Sequence, residues 1–334
     1  MNNIYFSFII PVFNRPNEIL ELLQSMQRLE FDEEYEIVIV EDGSSETSEH
    51  LINDFKYLNI SYYFKPNSGP GDSRNYGMKK AKGNYFLILD SDVILPANYL
   101  KEAEKELTKK YVDCFGGVDN AHDSFTDLQK AINYVMTSFL TTGGIRGGGE
   151  QLGKFQPRSF NMGLSKKAFE SSKGFGSIHP GEDPDLSIRL WNLGFETALF
   201  SSVQVFHKRR ISWKKFQQQV VKFGKCRPIL NHWHPKTSKL TYWFPSVFSI
   251  LGVVAIVMAV LGQYLYLALY TLYFVAVLLE STYKNKTLKI GLMSIYATII
   301  QFFGYGKGFL TSFMKINIFK QKPQTAFPYL FFKK

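Results

Sequence analysis

Asp90 and Asp92 stand two residues apart in NYFLILDSDVILP (residues 84–96), where an apolar run breaks for two carboxylates and then resumes. Alternate side chains leave a strand end on one face, so both could approach one hard divalent cation, which takes oxygen ligands and tolerates partial hydration. A cation held there could neutralise a diphosphate leaving group. The same two residues could instead cap the helix that starts near Pro96.

Other stretches carry comparable chemistry. EDGSS (41–45) supplies Asp42, which reads either as turn chemistry or as a carboxylate accepting the imide N–H of a pyrimidine base. GDSRNYG (71–77) sets Arg74 and Asn75 early in a helix. Free backbone N–H groups and a guanidinium favour phosphate there, although an arginine on a solvated helix face has the same sequence. HPGEDPDLSIRL (179–190) brings Glu182, Asp183 and Asp185 to a helix start, with Pro184 suited to the first turn. Acidic residues there answer the helix dipole, and a carboxylate facing a hydroxyl in a cleft is also what a general base needs. His207 follows a strand and precedes a basic run, either as a surface histidine or as an imidazole completing a metal shell.

The elements that must position these groups alternate. Short β-branched or aromatic runs at 4–10, 36–40, 60–64, 85–89 and 112–118 predict strands. Helical patterns occupy 16–29, 45–55, 72–81 and 126–140. Strand–helix alternation predicts a mainly parallel sheet covered on both faces, with ligands gathering at the carboxyl ends of its strands. PVFN, EDGSS and DSD all fall at such ends. The glycine-dense stretch 141–159 is either a linker or a mobile substrate loop.

The chain has 334 residues and a formal charge of +10. From His207 to Leu240 it carries Lys208, Arg209, Arg210, Lys214, Lys215, Lys222, Lys225, Arg227, Lys236 and Lys239 with no acidic residue among them. Such a block could hold nucleic acid, but long apolar stretches follow at once, so anionic lipid is the expected partner and no nucleic acid is. Cys114 and Cys226 are too few for a disulfide framework or a thiolate metal site. The opening apolar run is short, lacks a basic leader and is broken by Pro11, unlike a secretory signal.

Residues 243–262 and 264–279 suit a membrane hairpin, with Tyr242, Trp243, Tyr264 and Tyr266 as interface aromatics. The basic block and STYKNKTLK (281–289) should both face the cytoplasm, which requires two crossings between them. A third apolar segment, 288–314, is expected to be re-entrant or interfacial, since a full crossing would carry the basic tail outside. The stretch with Trp213, Phe216, Val220 and Phe223 fits a helix lying on the membrane, or else a core helix. The expected organisation is a catalytic region 1–210, a basic amphipathic segment 211–240, membrane segments 241–314 and a basic tail 315–334.

In order, IPVFNR, VEDGSS, SRNYG, LILDSD, GEDPDLSIRL and FH resemble glycosyltransferase family 2 over roughly residues 4–207. The resemblance implies an α/β, Rossmann-like GT-A fold with a mainly parallel sheet, here followed by a helical membrane region. It implies that Pro11 and Asp42 contact the nucleotide base, Arg74 the nucleotide and Asp90 the nucleoside diphosphate. Asp92 would bind a divalent metal (Mn2+ or Mg2+) with Asp90 and His207, Asp183 would be the catalytic base, and Glu182 would support it or meet the acceptor. Glu41 stands where many members have a second Asp. Processive synthases carry QxxRW, whereas this chain offers QVVKF (219–223), and lysine lacks the planar fork of arginine.

The expected activity is therefore inverting transfer of one sugar from a nucleoside diphosphate sugar, with a UDP-sugar favoured, to a lipid-linked glycan. It would take place on the cytoplasmic side of the inner membrane. A processive polysaccharide synthase, a polyprenyl-phosphate glycosyltransferase and a catalytically silent membrane scaffold are the rivals.

Overall fold

The computed structural model describes residues 4–120, 125–142, 154–207 and 212–332. The chain forms two compact units, one of Met1–His122, Gln151–Lys208 and Phe331–Lys334, the other of Asp123–Glu150 and Arg209–Leu330. Residues 123–150, which the sequence reading places in the catalytic region, thus group with the second unit.

The first unit begins with β1 (Phe6–Val12), α1 (Pro16–Met26), β2 (Tyr35–Asp42), β3 (Ile60–Lys65), α2 (Pro70–Lys80), β4 (Tyr85–Leu89), β5 (Val93–Ile94), α3 (Tyr99–Lys109) and β6 (Cys114–Asn120). Two helices of the second unit follow, α4 (Asp127–Thr137) and α5 (Phe139–Thr142). The chain then returns to the first unit with β7 (Asn161–Ser165), α6 (Lys166–Ser172), α7 (Glu182–Asn192) and β8 (Thr197–His207). The sheet order is β3-β2-β1-β4-β7-β6-β8-β5. Strands β1 to β4 run parallel to their neighbours among themselves, β6 is parallel to β8, and β7 and β5 are antiparallel to theirs. Strand β1 has β2 on one side and β4 on the other, so the order reverses there and opens a crevice at the carboxyl ends.

Both faces of the sheet are buried, which is why its strands read as nearly unbroken apolar runs. Phe6, Phe8 and Ile10 pack on Ile19, Leu22 and Leu23 of α1 and on Tyr99 and Leu100 of α3. Ile9, Val38, Val40, Phe86 and Ile88 meet Met78, Phe169, Leu186 and Leu190 on the other face. The helix predicted over 45–55 is only a 3-10 turn from Glu49 to Phe55. Ser48 is held on Glu41, its N–H at 3.0 Å and its hydroxyl at 2.7 Å, and this draws the preceding residues into a loop. Helix α4 begins at a Thr126–Gln129 capping box and ends where Ser138 turns extended.

The second unit adds α8 (Trp213–Trp233), α9 (Phe244–Val260), α10 (Leu265–Asn285) and α11 (Leu288–Phe313), the last continued by a π turn, Met314–Ile318. The apolar face of α8 does not lie open to lipid. Phe216 and Val220 are buried with Ile132 and Val135 of α4 and Ala297 and Ile300 of α11, while Lys214, Lys215 and Lys222 stay exposed. Glycines let α8 and α11 meet backbone to backbone: a Cβ at Gly224 would lie 2.2 Å from the Tyr305 carbonyl oxygen, and one at Gly308 2.3 Å from that of Val221. Glu280 of α10 accepts hydrogen bonds from Tyr134 (2.6 Å) and Ser138 (2.8 Å), which ties α4 to the apolar helices.

Among the described residues, three helices are long and apolar enough to cross a membrane: Leu240–Val260, Leu265–Asn285 and Leu288–Ile318. In its most apolar 18-residue stretch the third is 44% buried within the protein, against 17% and 11% in those of the others. Helix α11 is continuous, so it does not turn back on itself as a re-entrant segment does.

Gly77 sets how closely α2, and with it Arg74, approaches the sheet. A Cβ there would lie 2.8 Å from Ile9 Cγ2 and 3.2 Å from Val40 Cγ2. Gly77→Val is expected to cost about 1–3 kcal/mol of stability by overpacking. A denaturant titration of the detergent-solubilised protein reads this as a lower midpoint, and an unchanged midpoint would contradict so tight a contact.

Candidate active site

The carboxyl ends of β1, β2 and β4 bring Pro11, Asp42 and the Asp90–Asp92 pair to one edge of the sheet. Pro11 is half-buried in register with Val40. Asp42 is buried and organises the turn into α2, accepting Lys65 Nζ at 2.5 Å and Ser68 N at 2.9 Å on Oδ1, and Gly69 N at 2.9 Å on Oδ2. A carboxylate has about four acceptor sites, so this arrangement leaves room for one further donor. Glu41 is fully buried and accepts from Ser44, Ser48 and Tyr62. Its extra methylene relative to Asp is used to reach the loop after β2. Asn14 latches the loops after β1 and β2 together, its Oδ1 accepting Ser45 N at 2.8 Å.

Arg74 lies at the centre. It is 3% exposed, and its Nη2 donates to Asp90 Oδ1 at 2.7 Å while Nη1 faces Glu182 Oε1 at 3.3 Å. The guanidinium sits 5.4 Å over the Phe175 ring. Burial works against its charge, but Asp90, Glu182 and Asp183 more than offset this and hold its pKa above the usual range. Asp92 receives Arg15 Nη1 at 2.5 Å. Asn75, next to Arg74, holds the Phe175 backbone through both polar atoms, at 2.8 and 2.9 Å.

Helix α7 delivers the second acidic group. Glu182 accepts His179 Nδ1 at 2.8 Å as well as Arg74. Burial would raise its pKa, yet the His179 and Arg74 charges bring it down to about 2. Asp183 is placed differently. One oxygen accepts Ser159 N at 3.2 Å, while Oδ1 is buried with no hydrogen-bond partner among the described residues. Burial, together with the neighbouring Glu182 charge, pushes its pKa upward despite Arg74 and Arg158. Asp185 instead pairs with Arg189, which fixes the Ser172 and Gly174 carbonyl oxygens.

The two neighbouring carboxylates therefore differ in kind: Glu182 is a locked anion, and Asp183 has a raised affinity for a proton. That is the separation expected of a structural acid next to a general base.

Asp90 and Asp92 fit a divalent cation in ligand chemistry. They are two carboxylates at a strand end, and Asp90, Asp92, Glu182 and Asp183 are four acids against Arg15, Arg74 and His179. Among the described residues no three His, Cys, Asp or Glu side chains form a complete shell. The backbone of His207 pairs with Val93, one residue beyond Asp92, and its side chain lies outside the described residues. So does most of the glycine-rich stretch 141–159, from 143 to 153.

The site thus joins Arg74, Asp90, Glu182 and Asp183 as the sequence motifs suggested, and adds Arg15 and His179, to which the motifs gave no role. His179 stands three residues before Glu182, a spacing that places them on one turn. Arg15 and Asp92 are 77 positions apart, and no local pattern relates them.

The sequence pattern of glycosyl transferase family 2 matches residues 7–173. Poly(ribitol-phosphate) beta-N-acetylglucosaminyltransferase TarS of Staphylococcus aureus is 31% identical over 112 residues, 32% of this chain and 20% of that protein. A poly(ribitol-phosphate) beta-glucosyltransferase of Bacillus spizizenii is 29% identical over 148 residues, 41% of this chain and 23% of its own length. The chain thus spans only a minor part of these relatives. Among solved structures, the mannosyltransferase PcManGT of Pyrobaculum calidifontis, in complex with GDP-Man and Mn2+, superposes with a TM-score of 0.59 at 14% identity, covering 88% of this chain and 86% of that one. That likeness is one of fold.

The His179–Glu182 pair has a consequence in pH. Burial lowers the His179 pKa, but the Glu182 charge outweighs it and raises the value above the ordinary 6.5. The folded protein therefore holds this proton more tightly than the unfolded chain does. The stability it confers is complete below the ordinary value and is lost as pH rises through the raised one. His179→Gln should flatten that part of the stability–pH curve measured by chemical denaturation, and a mutant curve parallel to the wild type would contradict the pairing.

Proposed function

The chain belongs to glycosyl transferase family 2, and on that premise we propose that it transfers one sugar, with inversion, from a nucleoside diphosphate sugar to a hydroxyl of a lipid-linked glycan. The observation that carries the reading is Asp183, a buried carboxylate with raised proton affinity and one oxygen without a partner among the described residues, beside a carboxylate locked as an anion.

Asp183 Oδ1 takes the proton of the acceptor hydroxyl as its oxygen attacks the anomeric carbon. The nucleoside diphosphate departs from the opposite face, so one displacement inverts the configuration. Arg74 brings a fixed positive charge, and an Nε–H without a partner among the described residues, to the side of the site where negative charge grows. Glu182 and His179 keep that guanidinium oriented. Pro11 and Asp42 lie on the base side, where the remaining acceptor site of Asp42 suits one imide N–H, which favours a UDP-sugar. Asp90 and Asp92, with His207, would hold a divalent cation, which when bound neutralises the leaving diphosphate. Single-sugar transfer, in preference to chain polymerisation, is supported by QVVKF standing where a processive synthase has QxxRW, and by the names of the poly(ribitol-phosphate) relatives.

The apolar helices support a membrane-anchored enzyme acting on an acceptor held at the same surface. Phe331 and Phe332 belong to the catalytic unit, which supports an even number of crossings between residues 208 and 331. Two crossings, by α9 and α10, meet this condition and leave α11 packed along α8. The positive flanks support a catalytic unit on the cytoplasmic side of the inner membrane.

Two measurements test this. Asp183→Asn should lower kcat by about 10²–10⁴-fold, the usual worth of a positioned general base, while a UDP-sugar still binds in calorimetry; turnover at the wild-type rate would contradict the assignment. For the topology, an impermeant thiol reagent should label Gln263→Cys in intact cells and Lys320→Cys only after permeabilisation. Labelling of both in intact cells would mean three crossings.

A further inference from the structure

Phe331 and Phe332 rejoin the catalytic unit after more than a hundred residues spent in the other. Phe331 forms an antiparallel bridge with Ile178, and Phe332 N donates to the Ser177 carbonyl oxygen at 3.1 Å. The Phe332 ring then lies between two parts of the site. On one side is Gly69, where a Cβ would fall 2.3 Å from the ring's Cδ2. On the other is the His179 ring, 6.0 Å away between centroids and tilted by 52°.

Both contacts bear on groups already placed. Gly69 precedes α2, the helix carrying Arg74; its N–H donates to Asp42 and its φ of +93° is one that side chains avoid. A glycine at 69 thus serves the backbone turn and also vacates the space the ring fills. His179 is the partner that keeps Glu182 anionic and aimed at Arg74. The ring contributes to neither apolar core of the sheet. Its contacts are with the edges of the site.

We propose that Phe332 is a positioning residue for the transfer: its ring, seated between Gly69 and His179, holds the start of α2 against the 177–182 segment and so keeps Glu182 and Arg74 in register beside Asp183. The proposal rests on the functional reading above and extends it to a residue outside every motif of the catalytic region. A group acting this way affects the chemical step more than ground-state binding of the donor, because the misplaced atoms are those that must align in the transition state.

The test is steady-state kinetics of the full-length protein in detergent, with UDP-sugars and a glycolipid acceptor. Phe332→Ala should lower kcat about tenfold while the donor KM changes less than about twofold and the melting temperature holds. Phe332→Tyr, which keeps the ring, should retain kcat within about twofold. If the ring acts through His179, Phe332→Ala combined with His179→Ala should fall no further than His179→Ala alone, since contacts in one chain are not additive. A Phe332→Ala protein with wild-type kcat overturns the proposal, as does a fall in kcat matched by a lower melting temperature or fully additive losses in the double variant. A wild type that turns over no nucleotide sugar overturns the functional reading, and this proposal with it. Wild-type turnover with an indifferent Phe332→Ala overturns this proposal alone.

Discussion

A buried guanidinium is the constraint around which the catalytic unit is arranged. Arg74 cannot shed its proton at any physiological pH, and charge removed from water must be met by opposite charge at hydrogen-bond distance. Only 4% of its side chain is exposed, so the fold has to bring carboxylates to it from distant segments: Asp90 from the end of β4 and Glu182 from the start of α7. Those two demands fix where α2, β4 and α7 end relative to one another. They also decide the character of Asp183. Its neighbour Glu182 takes both the imidazole and the guanidinium, while Asp183 keeps an oxygen with no donor among the described residues, and burial beside the Glu182 charge raises its pKa. The satisfied acid orients the arginine, and the unsatisfied one is the residue proposed as the base.

Much of this was legible in the sequence because it is local. The strand runs end where their side chains turn polar, and the spacing of Asp90 and Asp92 has meaning only at a strand end. Pro184 and the acidic residues around it mark the start of α7. What could not be read depends on contacts across the chain. Arg15 meets Asp92 only because β1 and β4 are adjacent. The helical periodicity of 45–55 was overridden by Glu41, whose buried carboxylate claims Ser48. The antiparallel placement of β7 and β5 follows from packing order and not from any residue pattern. Phe332 lies in the stretch read from sequence only as a basic tail, and nothing nearby hints that it pairs with Ser177.

The helical unit shows the same division. Apolar length alone identified its long helices, but the role of their faces was decided by tertiary contact. The apolar stripe of α8, which by pattern suits a lipid surface, is covered by α4 and α11, and glycines at 224, 304 and 308 permit that closeness. Glu280 of α10, paired with Lys284 on its own helix, also accepts from Tyr134 and Ser138, which belong to a segment the sequence reading assigned to the catalytic region. Residues 125–142 are thus an excursion from the sheet whose structural partners are the apolar helices.

The most direct test is a structure of the protein with a non-hydrolysable UDP-sugar and manganese. The account expects the ion between Asp90 and Asp92, the diphosphate on the Arg74 side, and the anomeric carbon open to attack from the side where Asp183 Oδ1 can reach an acceptor hydroxyl. An ion bound elsewhere, or a sugar whose anomeric carbon faces away from Asp183, would contradict it.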